Sequence, residues 1–387
     1  MPATLHDWFC LKEGRDNFKL KVRQDSESIF CHGNEIKDQI LRGIEMRFAA
    51  NEPVKMLIWG DWGVGKTHAA NHIRWWLENH SDEYPAKTVM IEIGDIEKKS
   101  RFDSIVRPML DKLGLDYLIQ LTRDYDTKMI GIESALQDAG VEQYIATVFA
   151  KLMMATPKMT PPPAVQYAFS ILKGKKAPNT GADVGLGETL RESGEFYSVL
   201  LAIGEMHRTV YEERILFIAD EGAKLEDVED DDATSAHWVA ANRAIFDDQN
   251  DVFGMIYTVS GKTAQAMPRA VWDPQIQNRL GQHNVFALES LNKVDVAQYM
   301  SQLIGAIVDK TCVEGLVNND EIKKKGFKMD AYPFTPDGND RFLDYWDLNS
   351  GDAKPRDISD KLNALGFIAL KSGTRLIDDA CLEIANM

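Results

Sequence analysis

Gly60-Asp61-Trp62-Gly63-Val64-Gly65-Lys66-Thr67 reads G-x-x-x-x-G-K-T, with His68 next in line. Each residue type here has a use around phosphate. Gly60, Gly63 and Gly65 let backbone N–H groups close around a polyphosphate. Lys66 supplies a cation that reaches β- and γ-phosphates, and the Thr67 hydroxyl is a ligand for Mg²⁺. The predicted chemistry is binding of a nucleoside triphosphate. A second pair, Asp220-Glu221, ends the apolar run Ile215 to Ala219. A carboxylate at the end of a neighbouring strand is what the Mg²⁺ of a phosphate-loop enzyme requires, which is the role predicted for Asp220. Glu221 beside it is placed to polarise an attacking water. A third apolar run, Gly254 to Ser260, ends in polar residues. Ser260 or Thr258 is a candidate hydrogen-bond partner for the γ-phosphate or the water, and a plain strand cap reads as well for either.

These groups need elements to hold them. Val54 to Trp59 is an apolar run leading into the glycine loop, and Ala69, Ala70, Ile73, Trp76 and Leu77 follow at helical spacing. That is strand, phosphate loop and helix in the order the chemistry needs. Thr88–Ile93, Ile215–Ala219 and Gly254–Ser260 predict three further buried strands, and His283–Leu288 a short fifth. A helix with Ile40, Leu41, Ile44 and Phe48 on one face precedes the first strand. Residues 102–200 are mostly helical in pattern, with Ile105, Met109, Leu110 and Leu113 on one stripe and Ile145, Val148, Phe149 and Leu152 on another. Glu195 to Arg208 predicts a helix entering the Asp-Glu strand. From Leu291 the pattern is helical again, with Val294, Val296, Tyr299, Met300, Leu303 and Ile304 on one face. Helical patterns at Arg341–Trp346, Arg356–Lys371 and Leu376–Ile384 close the chain.

The net charge of −16 over 387 residues excludes a uniformly basic, nucleic-acid-coating surface, though not a local patch. Lys98, Lys99 and Arg101 form such a patch after the second strand, and a nucleic-acid contact and a solvated loop read equally well there. For the stripe Arg15, Lys19, Lys21 and Arg23 a solvated arm or an edge element is preferred to a nucleic-acid contact. The acidic run 226–232 lacks the glycine and alternation of a calcium loop. Cys10, Cys31, Cys312 and Cys381 lie far apart with no C-x-x-C, so neither a zinc site nor a disulfide framework is expected. Met1 to Trp8 has no apolar signal-peptide core, and no run approaches membrane-spanning length. The expectation is a reduced, cytoplasmic protein.

Taken together, the phosphate loop, the Asp-Glu strand end, the polar strand end and a C-terminal helical region resemble an AAA+ ATPase over nearly the whole chain. The likeness is greatest to the origin-recognition and initiator-like clade. That clade includes transposition regulators of the TnsC kind and Orc-like bacterial ATPases of defence and mobile-element operons. Phe30-Cys31-His32-Gly33-Asn34-Glu35-Ile36 resembles the F-x-G-R-x-x-E-I segment that packs on adenine, with its G-R altered. Gly65-Lys66-Thr67-His68 is a common ending of the loop in that clade. Gln277-Asn278-Arg279-Leu280 stands where the family has the arginine that reaches a neighbouring subunit's γ-phosphate, with Arg269 as rival. Lys354-Pro355-Arg356-Asp357-Ile358 resembles the G-x-P-R-x-h lid motif whose arginine senses the same phosphate, with Arg375 as rival.

The resemblance implies an α/β fold: a P-loop NTPase core with a five-stranded parallel sheet, a helical insertion and a C-terminal helical lid. The implied divisions are an arm over 1–28, the core over 29–288 with the insertion at about 102–190, and the lid over 289–387. No winged-helix-sized segment is expected after the lid. The implied activity is hydrolysis of ATP with Mg²⁺ by a self-assembling ring or filament acting on DNA or a nucleoprotein partner. A second reading is an antiviral-defence signalling or scaffold ATPase that controls a protein effector, such as a nuclease, through its helical insertion. A small-molecule kinase is disfavoured, because the lid and Arg279 suit assembly better than an acceptor pocket.

Overall fold

The computed structural model describes residues 4–20, 29–30, 34–93, 102–155, 161–175, 186, 189–221, 225, 232–247, 249, 251–316, 320–326, 328–329, 331–349, 351 and 353–387. Its elements run α1 (Leu5–Trp8), α2 (Asn34–Ala49), β1 (Lys55–Gly60), α3 (Lys66–Asn79), β2 (Ala86–Glu92) and α4 (Asp103–Leu113). They continue with α5 (Leu115–Met129), α6 (Ile132–Asp138), α7 (Gln143–Leu152), α8 (Pro163–Leu172), α9 (Ser193–Tyr211), β3 (Arg214–Asp220), α10 (Asp232–Asp247) and β4 (Phe253–Ser260). The remainder is α11 (Arg269–Trp272), α12 (Pro274–Leu280), β5 (Val285–Leu288), α13 (Lys293–Ile307), α14 (Lys310–Leu316), α15 (Asp320–Lys324), α16 (Pro336–Leu348), α17 (Pro355–Ser372) and α18 (Asp379–Ile384).

The strands form one sheet in the order β2-β3-β4-β1-β5, and β2–β3, β3–β4 and β1–β4 pair in parallel. Every residue of β3 and β4 is buried, which explains why both read as unbroken apolar runs: a parallel sheet has helices on both faces. Gly254 is needed inside β4, since a Cβ there would lie 2.6 Å from the Val54 carbonyl oxygen and from Leu216 Cδ1.

The chain divides into two compact units. One comprises residues 40–60 and 76–287 and contains most of the sheet. A hydrophobic cluster in it runs from Leu57, Phe217 and Met255 on the strands through Ile105, Leu118, Ile145, Phe149 and Ile171 on the helices between β2 and β3. Those helices therefore share the core of the sheet: α4 packs on β2, and α9 packs on β3, β4, α5 and α7. α9 is started by a reciprocal capping box in which Glu192 accepts from the Glu195 N–H while the Glu195 side chain accepts from the Glu192 N–H.

The other unit comprises residues 1–39, 61–75 and 288–387. Leu5, Phe9, Leu11 and Phe18 of the N-terminal segment share a cluster with Leu303, Ile307, Phe342, Trp346, Leu362 and Leu365. The Trp8 indole donates to the Thr374 carbonyl at 2.7 Å, and the Phe18 N–H donates to Asn363 Oδ1 at 2.7 Å. Lys19 pairs with Asp360, and Lys21 and Arg23 lie outside the described residues. α13 is capped by Asn292, α16 by Thr335 and α18 by Asp378, each accepting from a backbone N–H of the first turn.

Two expectations are corrected here. Cys10 and Cys312 are joined in a disulfide with Cα atoms 5.6 Å apart and a sequence separation of 302, while Cys381 is free and buried. Without a local spacing to mark it, this pair was invisible before folding, and the cysteine argument for a reduced compartment falls with it. Val294 is 75% exposed, although the pattern placed it on the apolar face of α13; its position one residue after Lys293 is the first turn, outside the buried stripe of Val296, Tyr299, Met300 and Leu303. Among the described residues no helix is long and apolar enough to cross a membrane.

Candidate functional site

At the carboxyl ends of the strands, Gly60 is in register with Ser260, and the Gly261 N–H donates to the Gly60 carbonyl at 3.1 Å. Across β4 from β1, Asp220 ends β3. Its side chain is buried, and the Thr258 hydroxyl donates to Asp220 Oδ1. Oδ2 is buried too and has no hydrogen-bond partner among the described residues. Glu221 follows immediately, exposed, at φ +63°. A non-glycine residue in this left-handed region costs roughly 1 kcal/mol or more, and the turn there ends the strand abruptly. The two alternatives left open at the end of β4 separate: Thr258, fully buried, orients Asp220, and Ser260, 8% exposed, stands beside the first glycine of the loop.

The phosphate loop itself belongs to the other unit. Gly63 and Gly65 both have positive φ, +82° and +100°, which turns successive N–H groups to one side. The Trp62 N–H donates to Asp61 Oδ1 and the Lys66 ammonium donates to the Asp61 carbonyl, both at 2.8 Å. α3 begins at Lys66 with no acidic residue in its first turn, so no carboxylate of its own offsets the positive end of the helix dipole. Val64 and His68 are buried, while Trp62 is 61% exposed. Lys66 and Thr67 are half-buried.

Lys354-Pro355-Arg356 opens α17 against this loop. Pro355 occupies the first helical turn, where its missing N–H costs nothing. The Arg356 N–H faces the Gly63 carbonyl at 3.5 Å, and the Arg356 guanidinium lies 6.0 Å from the Trp62 ring centre. The Lys354 ammonium pairs with Asp61 Oδ2 at 2.7 Å. Arg375 instead stacks its guanidinium 4.8 Å from the Trp8 ring centre. Of the two lid candidates, Arg356 is the one beside the loop.

Phe30 is buried and packs edge-on against His72 of α3 at 5.3 Å; residues 31–33 lie outside the described residues, as do Lys98, Lys99 and Arg101. Arg279 pairs with Asp247, and its Nη1 donates to the Gln275 carbonyl at 2.6 Å. Its rival Arg269 bonds Asp273 at 3.1 Å and is the more exposed, 60% against 26% of the side chain. Thr258 was legible in the sequence without its partner, and the Asp61–Lys354 contact was not legible at all, since nothing in a spacing of 293 residues marks it.

No protein-family profile matches the chain, and no curated protein does. Solved structures do. The chain is similar to the Aeropyrum pernix ORC2 protein, solved in ADPNP–ADP complexes, at a TM-score of 0.50 and 13% identity, covering 97% of this chain and 71% of that one. It is similar to CDC6P from Pyrobaculum aerophilum at a TM-score of 0.47 and 10% identity, covering 93% and 67%. The Thermotoga maritima RuvB Holliday junction branch migration motor matches at 0.40 and 9%, covering 94% and 73%. The ORC2 likeness, together with the sheet order and the loop between β1 and α3, decides the fold.

The chain has the P-loop AAA+ α/β fold.

In this AAA+ fold Mg²⁺ suits the residues present. The Asp220 Oδ2 atom is buried and has no partner among the described residues, which is costly for a carboxylate unless a cation or its water meets it. Among the described residues no cluster of three or more acidic, His or Cys side chains is assembled for a metal. Asp220 is the residue of its unit that would hold Mg²⁺, whose chemistry would be neutralisation of phosphate charge.

Proposed function

We propose that this protein is an ATP-binding and ATP-hydrolysing AAA+ switch that self-assembles and acts on DNA or a nucleoprotein partner, as a transposition regulator, initiator or loader. The observation that carries the reading is the buried Asp220 carboxylate, held by Thr258 on a neighbouring strand, with one oxygen left for a cation. Gly60 to Thr67 would cradle the phosphates, Lys66 and Thr67 would meet the β/γ-phosphates and Mg²⁺, and Glu221 would orient the water. Arg356 would sense the terminal phosphate from the lid, and Arg279 would reach a neighbouring subunit's nucleotide. Ser260 and Phe30 are the proposed contacts to the γ-phosphate or water and to adenine. The ORC2 structure, solved with ADPNP and ADP, supports the nucleotide half. For DNA the proposed contacts are Lys98, Lys99 and Arg101.

A nucleotide titration and a turnover assay test this. Glu221→Gln is expected to keep ATP affinity and to slow turnover by about a hundredfold or more. Lys66→Ala is expected to weaken binding or abolish turnover. Normal turnover in Glu221→Gln contradicts the assignment. If double-stranded DNA changes neither the ATPase rate nor the oligomeric state, the DNA half fails.

The second reading, a defence-type scaffold ATPase with a protein effector, is favoured by one observation. Met129 and Ile130, where α5 ends, are 45% and 87% exposed. Deleting the helices of 102–190 in a partner pull-down separates the two.

A further inference from the structure

Asp61 binds two lysines. Its backbone carbonyl accepts from Lys66 at 2.8 Å, and its carboxylate Oδ2 pairs with Lys354 at 2.7 Å, while Oδ1 accepts from the Trp62 N–H. Lys354 is the residue before the first turn of α17, and Arg356 is two residues on. The contact is close along its whole length. A Cβ on Gly63 would lie 3.3 Å from Arg356 Cβ, 3.7 Å from Arg356 Cδ and 3.8 Å from Lys354 Cδ. The Lys354 side chain is 19% exposed and that of Asp61 30%, so water screens the pair less than it screens a surface ion pair.

We infer that Asp61 and Lys354 form a clasp that positions Arg356 at the phosphate loop and so makes the protein prefer a triphosphate to a diphosphate. This rests on the nucleotide reading above. Asp61 occupies a position at which the motif accepts any residue, so a carboxylate there serves something other than the phosphates, which it would repel. What it serves is a lysine at the start of the lid helix. With the clasp closed, the N-terminus of α17 is held on Gly63 by a backbone contact and by an ion pair. The Arg356 guanidinium is then restricted to the neighbourhood of the loop, where a terminal phosphate is the group for it to meet. With the clasp open, Lys66, Thr67 and the loop N–H groups still hold the phosphates they reach, and the contact from the lid is the one that weakens. Asp61 and Lys354 are thus positioning residues acting through Arg356.

The test is affinity for ATP and for ADP, measured separately by titration with fluorescent nucleotide analogues, in wild type, Lys354→Met, Asp61→Lys and the swap Asp61→Lys/Lys354→Asp. Lys354→Met is expected to weaken ATP by about fivefold to tenfold and ADP by less than about twofold. Asp61→Lys is expected to weaken ATP further, by placing two ammonium groups together, and the swap to recover most of that loss. A purely structural role would weaken both nucleotides alike, which overturns the inference. So does a swap no better than Asp61→Lys, or a Lys354→Met indistinguishable from wild type. Wild type that binds neither nucleotide removes the nucleotide reading itself, a different result from wild type that binds ATP and variants that bind it equally well.

Discussion

Thr258 shows how much one hydroxyl decides. It donates to Asp220 Oδ1, orients the carboxylate and leaves Oδ2 without a partner among the described residues. Thr258→Val keeps the β-branched shape the strand requires and removes only the donor. The lost hydrogen bond to a buried carboxylate is worth about 1.5–3 kcal/mol. The expected outcome is a turnover about tenfold slower or more, with a raised Mg²⁺ requirement and an unchanged far-ultraviolet spectrum. A Mg²⁺ titration of the ATPase rate checks it. Gly63 is the converse case, a residue defined by lacking a side chain. Gly63→Ala meets both φ +82° and Arg356 Cβ at 3.3 Å, so it is expected to abolish nucleotide binding in the same titration rather than merely weaken it.

On the helix that runs up to β3, His207 of α9 is buried, with Nδ1 2.7 Å from the Tyr117 hydroxyl of α5 and Nε2 3.4 Å from Glu213. Burial pushes its pKa down to about 4, assisted by the nearby Lys87. Glu213 opposes this weakly, since its carboxylate is 43% exposed and solvated. Tyr117 is pushed up, first by burial and then by Tyr211 and Glu213. In the unfolded chain a histidine titrates near 6.5. Between that value and about 4 the unfolded state binds the extra proton, so stability is complete above about pH 6.5 and is lost as pH falls toward 4. The loss from this one group is on the order of 1–3 kcal/mol. Denaturant midpoints at pH 7 and pH 4.5 should differ accordingly, and His207→Asn, which keeps a polar partner for Tyr117, should flatten that dependence.

At the scale of the whole chain, the Cys10–Cys312 bond closes a loop that contains every residue of the sheet, yet both cysteines lie in the unit built from the N-terminal segment and the C-terminal helices. Backbone bonds flank it: the Lys12 N–H donates to the Ile307 carbonyl and the Asp309 N–H to the Cys10 carbonyl, both at 2.8 Å. The N-terminal segment is thereby fastened to the C-terminal helices. Removing the bond releases a long loop in the unfolded state, which is expected to destabilise this unit by about 2–4 kcal/mol. Cys312→Ser should lower the melting temperature and make it insensitive to dithiothreitol, whereas the wild-type value should fall when the reductant is added.

The strands, the phosphate loop and the Asp-Glu pair were legible in the sequence because each is local. A buried parallel strand needs a short unbroken apolar run, and a phosphate loop needs its glycines at fixed offsets. α17 was legible for the same reason, since Pro355 can open a helix but not continue one. What folding alone decided are the partnerships over long separations. These are Thr258 with Asp220, Asp61 with Lys354, Arg375 with Trp8 in place of the phosphate loop, and Cys10 with Cys312. Each depends on which surfaces are brought together by hydrophobic burial, a non-directional force that leaves no spacing rule in the chain. The proposed phosphate-site residues are written locally, and their partners over long separations are chosen by packing.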